Sequence, residues 1–216
     1  FLKEPDEFAI LGKPLPRLDT PEKVDGSAVF GIDVQLPGLL TATVARCPVI
    51  GGKLKSYDAS KAEAIKGVRK VVQISAGIAV IADHFWAASK GREALVIDWD
   101  PGPNADLDSK SIYSSFADAL DKGSDLTERQ DGDINAGLDS ASMILQATYT
   151  VPYQAHVCME PMNATADVRA DGCDFYVGTQ GQTAAQQTAM KLTGLPEEKV
   201  KVHTTYLGGG FGRRGE

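Results

Sequence analysis

Val68-Arg69-Lys70-Val71-Val72-Gln73-Ile74 and Ile78-Ala79-Val80-Ile81 are two β-branched runs and the strongest strand signals in the chain. Downstream, Phe85 to Leu95 has a helical pattern, and Leu95-Val96-Ile97-Asp98-Trp99 reads as a closing strand. Upstream, Ala28 to Asp33 and Leu39 to Ala45 are β-rich and separated by the turn signal Leu36-Pro37-Gly38, and Lys53 to Tyr57 reads as a further strand. Ser60 offers an N-cap to a helix over Lys61–Lys66 that Gly67 ends. Helices and strands interleave too irregularly for a doubly wound sheet, so the expected class is α+β.

Outward from this core the composition changes. Residues 1–26 carry Pro5, Pro14, Pro16, Pro21 and Gly26 and are expected to form an extended lead-in. Residues 27–100 are expected to form the α+β domain. Residues 101–140 are rich in Asp, Ser and Gly and read as a connector with one helix from Ser109 to about Asp121. Residues 141–216 return to regular order. A strand is expected over 143–151, stopped at Pro152, and a hairpin is expected about Asp171-Gly172. A helix over 182–192, ended by Gly194, and a strand over 200–204 complete the expected elements.

With 22 Lys+Arg against 29 Asp+Glu, the formal charge is −7, and no basic run is present, which argues against nucleic-acid or anionic-membrane binding. Cys47, Cys158 and Cys173 have no C-x-x-C spacing and His84, His156 and His203 are not paired four apart, so no zinc site is expected. The thiols read as small buried or half-buried residues, with an intersubunit role left open. No apolar run approaches the roughly 20 residues that span a bilayer. The polar, Met-free start and the glycine-rich end lead us to expect a piece truncated at both ends.

Three segments concentrate chemistry. Gly208-Gly209-Gly210-Phe211-Gly212-Arg213-Arg214 is either an anion cradle, whose glycines let backbone amides approach a ligand while arginines add bidentate contacts, or a flexible turn. It is neither a dinucleotide fingerprint nor a P-loop. Thr179-Gln180-Gly181-Gln182 opens a helix, as an anion contact or as a polar cap. His156 and Glu160 are read as a buried hydrogen-bonded pair or as acid–base residues, with the structural use preferred.

In this order the three segments resemble the first cofactor domain of the molybdenum hydroxylases, the xanthine dehydrogenase/aldehyde oxidase family. Arg17-Leu18-Asp19, Lys23-Val24-Asp25-Gly26, Ala28, Phe30, Asp33 and Leu36-Pro37-Gly38-Leu39 resemble the start of that family's a/b hammerhead domain. Ala45-Arg46-Cys47-Pro48, Gly51-Gly52 and the Gly-Phe-Gly-Arg-Arg tail resemble the isoquinoline 1-oxidoreductase beta-subunit branch. The resemblance implies a hammerhead-like domain followed by the truncated start of a molybdenum-cofactor domain. It implies molybdopterin, in its cytosine dinucleotide form, with Gln180 beside the molybdenum and Gly209, Gly210, Phe211 and Gly212 against the pterin. Arg213 or Arg214 would reach a phosphate or a neighbouring loop. The implied activity is hydroxylation of an aldehyde or N-heterocycle carbon with oxygen from water. The implied partners are a small subunit with 2Fe–2S clusters and a cytochrome c electron acceptor, and the implied compartment is the periplasm.

Two departures bear on this. The family's catalytic glutamate, in a Gly-x-Gly-Glu element, has no counterpart here, so no catalytic residue is assigned. Gly215 stands where xanthine-type enzymes carry a substrate-binding glutamate, with Glu216 one position later, which does not support purine specificity. The piece is expected to hold no cofactor firmly and to be inactive alone. The competing expectations are a non-catalytic assembly module that docks through the hammerhead-like domain and an NAD- or flavin-binding protein.

Overall fold

The computed structural model describes residues 2–215, and its first helix, α1 (Thr20–Asp25), lies inside the stretch expected to be extended. Pro21 sits in the first turn, where its missing N–H is no loss, and Gly26 closes the helix in the left-handed region at φ 85°. Proline density read as extension is therefore corrected here. Over 28–33 the chain also departs from the expected strand: Phe30 makes a single parallel bridge to Tyr206, and Gly31–Asp33 forms a 3-10 turn.

The chain folds as two compact units, Phe1–Leu36 with Gln154–Glu216, and Pro37–Tyr153. The hammerhead-like stretch expected over 27–100 falls across both. In the second unit, strands β1 (Thr41–Ala45), β2 (Lys53–Asp58), β3 (Val68–Ile74), β4 (Gly77–Ala82) and β5 (Val96–Asp100) form two sheets. One is antiparallel in the order β1-β4-β3, and the other pairs β2 with β5. The two strands read first in the sequence pair as a hairpin and supply the centre: Ile78 and Val80 of β4 are fully buried. The short helix α2 (Ser60–Glu63) starts one residue earlier than expected, at N-cap Ala59, because the Asp58 carboxylate takes the Ser60 N–H.

Helix α3 (Phe85–Ala94), N-capped by His84 Nδ1 accepting from Ala87, lays Ala87, Ala88 and Gly91 against the sheet. A Cβ on Gly91 would lie 2.6 Å from Val80 Cγ1 and 3.0 Å from Val68 Cγ2. Glycine in a helix interior costs about 1 kcal/mol against alanine, so its use here reflects close helix–sheet approach. Gly91→Ala is expected to destabilise by about 1–3 kcal/mol through overpacking, against the propensity gain. A urea midpoint at or above the parent's would contradict this.

Helix α4 (Ser109–Lys122) is capped by Asp108, not Ser109, with Ser111 closing a capping box. A further helix not expected from sequence, α5 (Ile134–Asp139), uses Asp133 as its cap. The strand expected over 143–151 does not form. The stretch has β propensity but no neighbouring strand to complete a ladder among the described residues, and Ile144, Leu145, Tyr149 and Val151 stay exposed.

The first unit holds β6 (Thr165–Arg169), β7 (Gly172–Val177), helix α6 (Gln182–Thr193) and β8 (Val200–Thr204). The hairpin turns at Ala170-Asp171, one residue before the expected pair, and Gly172 belongs to the strand. A Cβ on Gly172 would lie 3.3 Å from the Lys199 carbonyl, which explains the glycine. Strand β8 pairs parallel with β7 in the order β6-β7-β8, with α6 as the connection. Cys173, Ala189 and Val200 form the core beneath α6, and burial raises the Cys173 thiol pKa. Among the described residues no helix is long and apolar enough to cross a membrane.

Candidate functional site

The β7–α6 junction and the loop after β8 meet at one place. After Val177 the chain turns through Gly178-Thr179-Gln180-Gly181 into α6. Gly178 is needed because a Cβ there would lie 3.0 Å from the Tyr206 carbonyl and 3.2 Å from Arg214 Nη1. Thr179 is buried, and its Oγ1 accepts from Gly181 N (3.0 Å) and donates to the Arg214 carbonyl (3.1 Å). Gln180 is exposed, and its own N–H donates to that same carbonyl at 2.9 Å.

The side chain of Gln180 reaches the glycine loop. Its Oε1 accepts the Gly212 N–H at 3.0 Å. That donor fixes which end of the carboxamide is oxygen, so the NH2 is turned away from the loop backbone. A Cβ on Gly210 would lie 2.8 Å from Gln180 Cδ and Oε1, so only glycine leaves room for this side chain. Gly209 and Gly212 have φ of 102° and 89°, and Phe211 between them is also left-handed at φ 51°, its ring 70% exposed. Among the described residues the N–H groups of Gly209, Gly210 and Phe211 find no acceptor. The structure thus brings Gln180, Gly209, Gly210, Phe211 and Gly212 together, with three of the loop's amides unused by protein acceptors among the described residues.

Beneath the loop sits a buried ion pair. Arg214 is 2% exposed and Glu160 7%. The Arg214 guanidinium donates from Nε to Gly209 O (2.9 Å), from Nη1 to Gly178 O (3.2 Å), and from Nη2 to Glu160 O (2.9 Å) and Oε2 (2.8 Å). The Glu160 carboxylate also accepts from Ile32 N (3.1 Å), Asn163 Nδ2 (2.8 Å) and Gly208 N (3.0 Å). Burial pushes the Glu160 pKa up, but the hydrogen bonds from Asn163, Gly208 and Ile32, with the Arg214 charge, outweigh it and leave the group below its ordinary value.

One expectation is corrected by this geometry. Glu160 pairs with Arg214, not with His156, which lies exposed and makes no bond to it. Of the two arginines, Arg214 takes the neighbouring-loop alternative, its three nitrogens directed to acceptors on Gly209, Gly178 and Glu160. Arg213 is exposed and lines a shallow cleft of about 210 Å³ with His156, Cys158 and Met162. Cys158 donates its thiol to the Gly210 carbonyl at 3.7 Å. Glu216, noted in the sequence beside Gly215, lies outside the described residues. No cluster of metal-ligating side chains occurs among the described residues, so a metal held here would arrive with its own ligand. The Glu160–Arg214 pair spans 54 residues and had no local signal; only Glu160-Pro161 with Asn163 hinted at a built turn.

A family profile described as the molybdopterin cofactor-binding domain matches residues 119–216. Over 99% of its length the chain is 31% identical to an isoquinoline 1-oxidoreductase subunit beta of Brevundimonas diminuta. It is 32% identical to a membrane-bound pyrroloquinoline-quinone aldehyde dehydrogenase of Gluconacetobacter polyoxogenes, also over 99%. The chain spans 28% and 29% of those proteins. Among solved structures, quinoline 2-oxidoreductase from Pseudomonas putida 86 superposes with a TM-score of 0.70 at 15% identity, covering 94% of this chain and 31% of that one. A Cu,Mo-CO dehydrogenase gives 0.66 at 19% identity, covering 94% and 32%. At such identities the structural likeness speaks to the fold, which is the expected α+β.

Proposed function

We infer that the chain, whose residues 119–216 belong to the molybdopterin cofactor-binding domain family, is part of the molybdenum-cofactor subunit of an oxidoreductase acting on an aldehyde or N-heterocycle carbon. The observation that carries this reading is the Gln180 carboxamide. Its oxygen is committed to Gly212, which leaves its NH2 to donate elsewhere, and the nearby amides of Gly209, Gly210 and Phe211 find no acceptor among the described residues. A donor-only surface of this kind fits the oxygen- and sulfur-rich face of a molybdopterin.

When bound, that group supplies the redox chemistry, taking electrons from the substrate carbon. The chain's own residues bind and orient. Gln180 donates through Nε2, and the 209–212 backbone approaches closely because it lacks β-carbons at three of four positions. Phe211 presents its ring beside the donors. Arg213, on the rim of the cleft, is assigned to an anionic part of the group, for which the cytosine dinucleotide form is proposed. A 2Fe–2S small subunit and a cytochrome c would take the electrons onward, and the periplasm is the proposed compartment.

The test is metal and pterin analysis of the protein purified at its native length from a molybdopterin-producing host. Molybdenum and pterin near one per chain are expected. A Gln180→Glu variant keeps the acceptor for Gly212 but loses the outward donor, and is expected to weaken cofactor retention by about tenfold or more, the worth of a hydrogen bond to a charged or polarised group. A native-length protein that carries neither molybdenum nor pterin would favour the non-catalytic assembly module and overturn the reading.

A further inference from the structure

We propose that Arg214 is a positioning residue, which locks the Gln180 turn and the glycine loop into one rigid body so that the Gln180 donor and the loop amides face the same way. This rests on the cofactor reading above for its purpose, but not for its geometry. One residue holds both elements from two sides. Its carbonyl accepts from Thr179 Oγ1 and Gln180 N, and its Nη1 donates to the Gly178 carbonyl, so three consecutive residues of the β7–α6 turn are tied to it. Its Nε holds the Gly209 carbonyl within the loop, and its Nη2 is anchored on Glu160. The Gln180 Oε1 contact to Gly212 then closes the circuit from the opposite side.

The chemistry requires arginine. The guanidinium directs in-plane donors along three separate lines to Gly209, Gly178 and Glu160, while a lysine has one nitrogen that cannot lie on all three. Its burial keeps bulk solvent from its partners, so a lost bond leaves a buried acceptor to be satisfied. The neighbouring exposed Arg213 has a different place in the site, on the cleft rim.

The experiment is hydrogen exchange on the whole chain, with Arg214→Lys as the main variant and Thr179→Val as a milder one that cuts the Thr179 link to the Arg214 carbonyl. Arg214→Lys is expected to speed exchange of the Gly212 amide by about tenfold while β7 and α6 amides change little, since local opening is read separately from global unfolding. Thr179→Val is expected to shift Gly212 in the same direction by less. Unchanged Gly212 exchange in either folded variant would overturn the proposal, as would acceleration spread evenly over β7 and α6. In the native-length protein the Arg214→Lys variant should also release molybdenum faster. If exchange responds as expected but the parent holds no molybdenum, the lock stands and the cofactor reading falls.

Discussion

Glu160→Ala is expected to cost the chain about 3–5 kcal/mol of folding stability, the loss typical of stranding one partner of a buried ion pair. Arg214 would keep its charge at 2% exposure with no carboxylate, and the N–H groups of Gly208 and Ile32 would lose their acceptor. Denaturant unfolding of parent and variant measures this, and a loss below about 1 kcal/mol, the scale of an exposed pair, would contradict the assignment. Acid titration adds an independent check. The folded-state pKa of Glu160 lies below its ordinary value of 4.5, so the stability it contributes is complete above that value. It disappears as pH falls below 4.5 and through the depressed folded pKa. The isosteric Glu160→Gln should lose this component of acid sensitivity while starting from lower stability at neutral pH. A double Glu160→Leu/Arg214→Leu variant is expected to recover much of the stability, because apolar replacement of a buried pair is often neutral or better.

Gly208→Ala is the second large effect. A Cβ at this position would lie 2.2 Å from Glu160 Cβ, 3.0 Å from Glu160 N and 3.2 Å from Glu160 Cα, against a neighbour that is mostly backbone and cannot swing aside. The same two residues exchange bonds, Gly208 N to Glu160 Oε2 and Glu160 N to Gly208 O, both at 3.0 Å. Overpacking costs about 1–3 kcal/mol, and each bond forced out of range about 1 kcal/mol more, so the variant should rival Glu160→Ala. Gly215→Ala, where nothing lies within 4 Å of the added carbon, is the matched control and should be close to neutral. Equal thermal midpoints for the two variants would refute the steric account.

Much of the fold was legible where pattern and neighbour agree. The Val68–Ile74 and Gly77–Ala82 strands carry their own β-branched signal and pair with each other, so no distant information is needed. Helix α3 was legible for the same reason. Residues 143–151 show the opposite case: propensity was present, but a strand is a relation between two segments, and no second segment lies beside it among the described residues. Helix α1 escaped because proline was read as a breaker, although at the first turn it is a starter.

The candidate site divides in the same way. Gln180 and the glycines could be singled out locally, as a helix start and a run without β-carbons, but those signals left polar cap and flexible turn open, and only the family resemblance chose between the readings. The two adjacent arginines could not be told apart, since burial of one and exposure of the other follow from where Glu160 arrives, 54 residues earlier. His156 lies close to Glu160 in sequence, but the carboxylate is taken up by Arg214, Asn163 and the Ile32 and Gly208 amides instead.

Phe211 sits at φ 51°, between two glycines that adopt such angles freely, with its ring in solvent. A left-handed conformation costs a side-chain-bearing residue about 1–2 kcal/mol, and here no buried contact offsets it. Glycine would therefore make the loop more stable. Under the proposed cofactor contact the ring would be held at the loop's expense, so that stability and use would pull this one position in opposite directions.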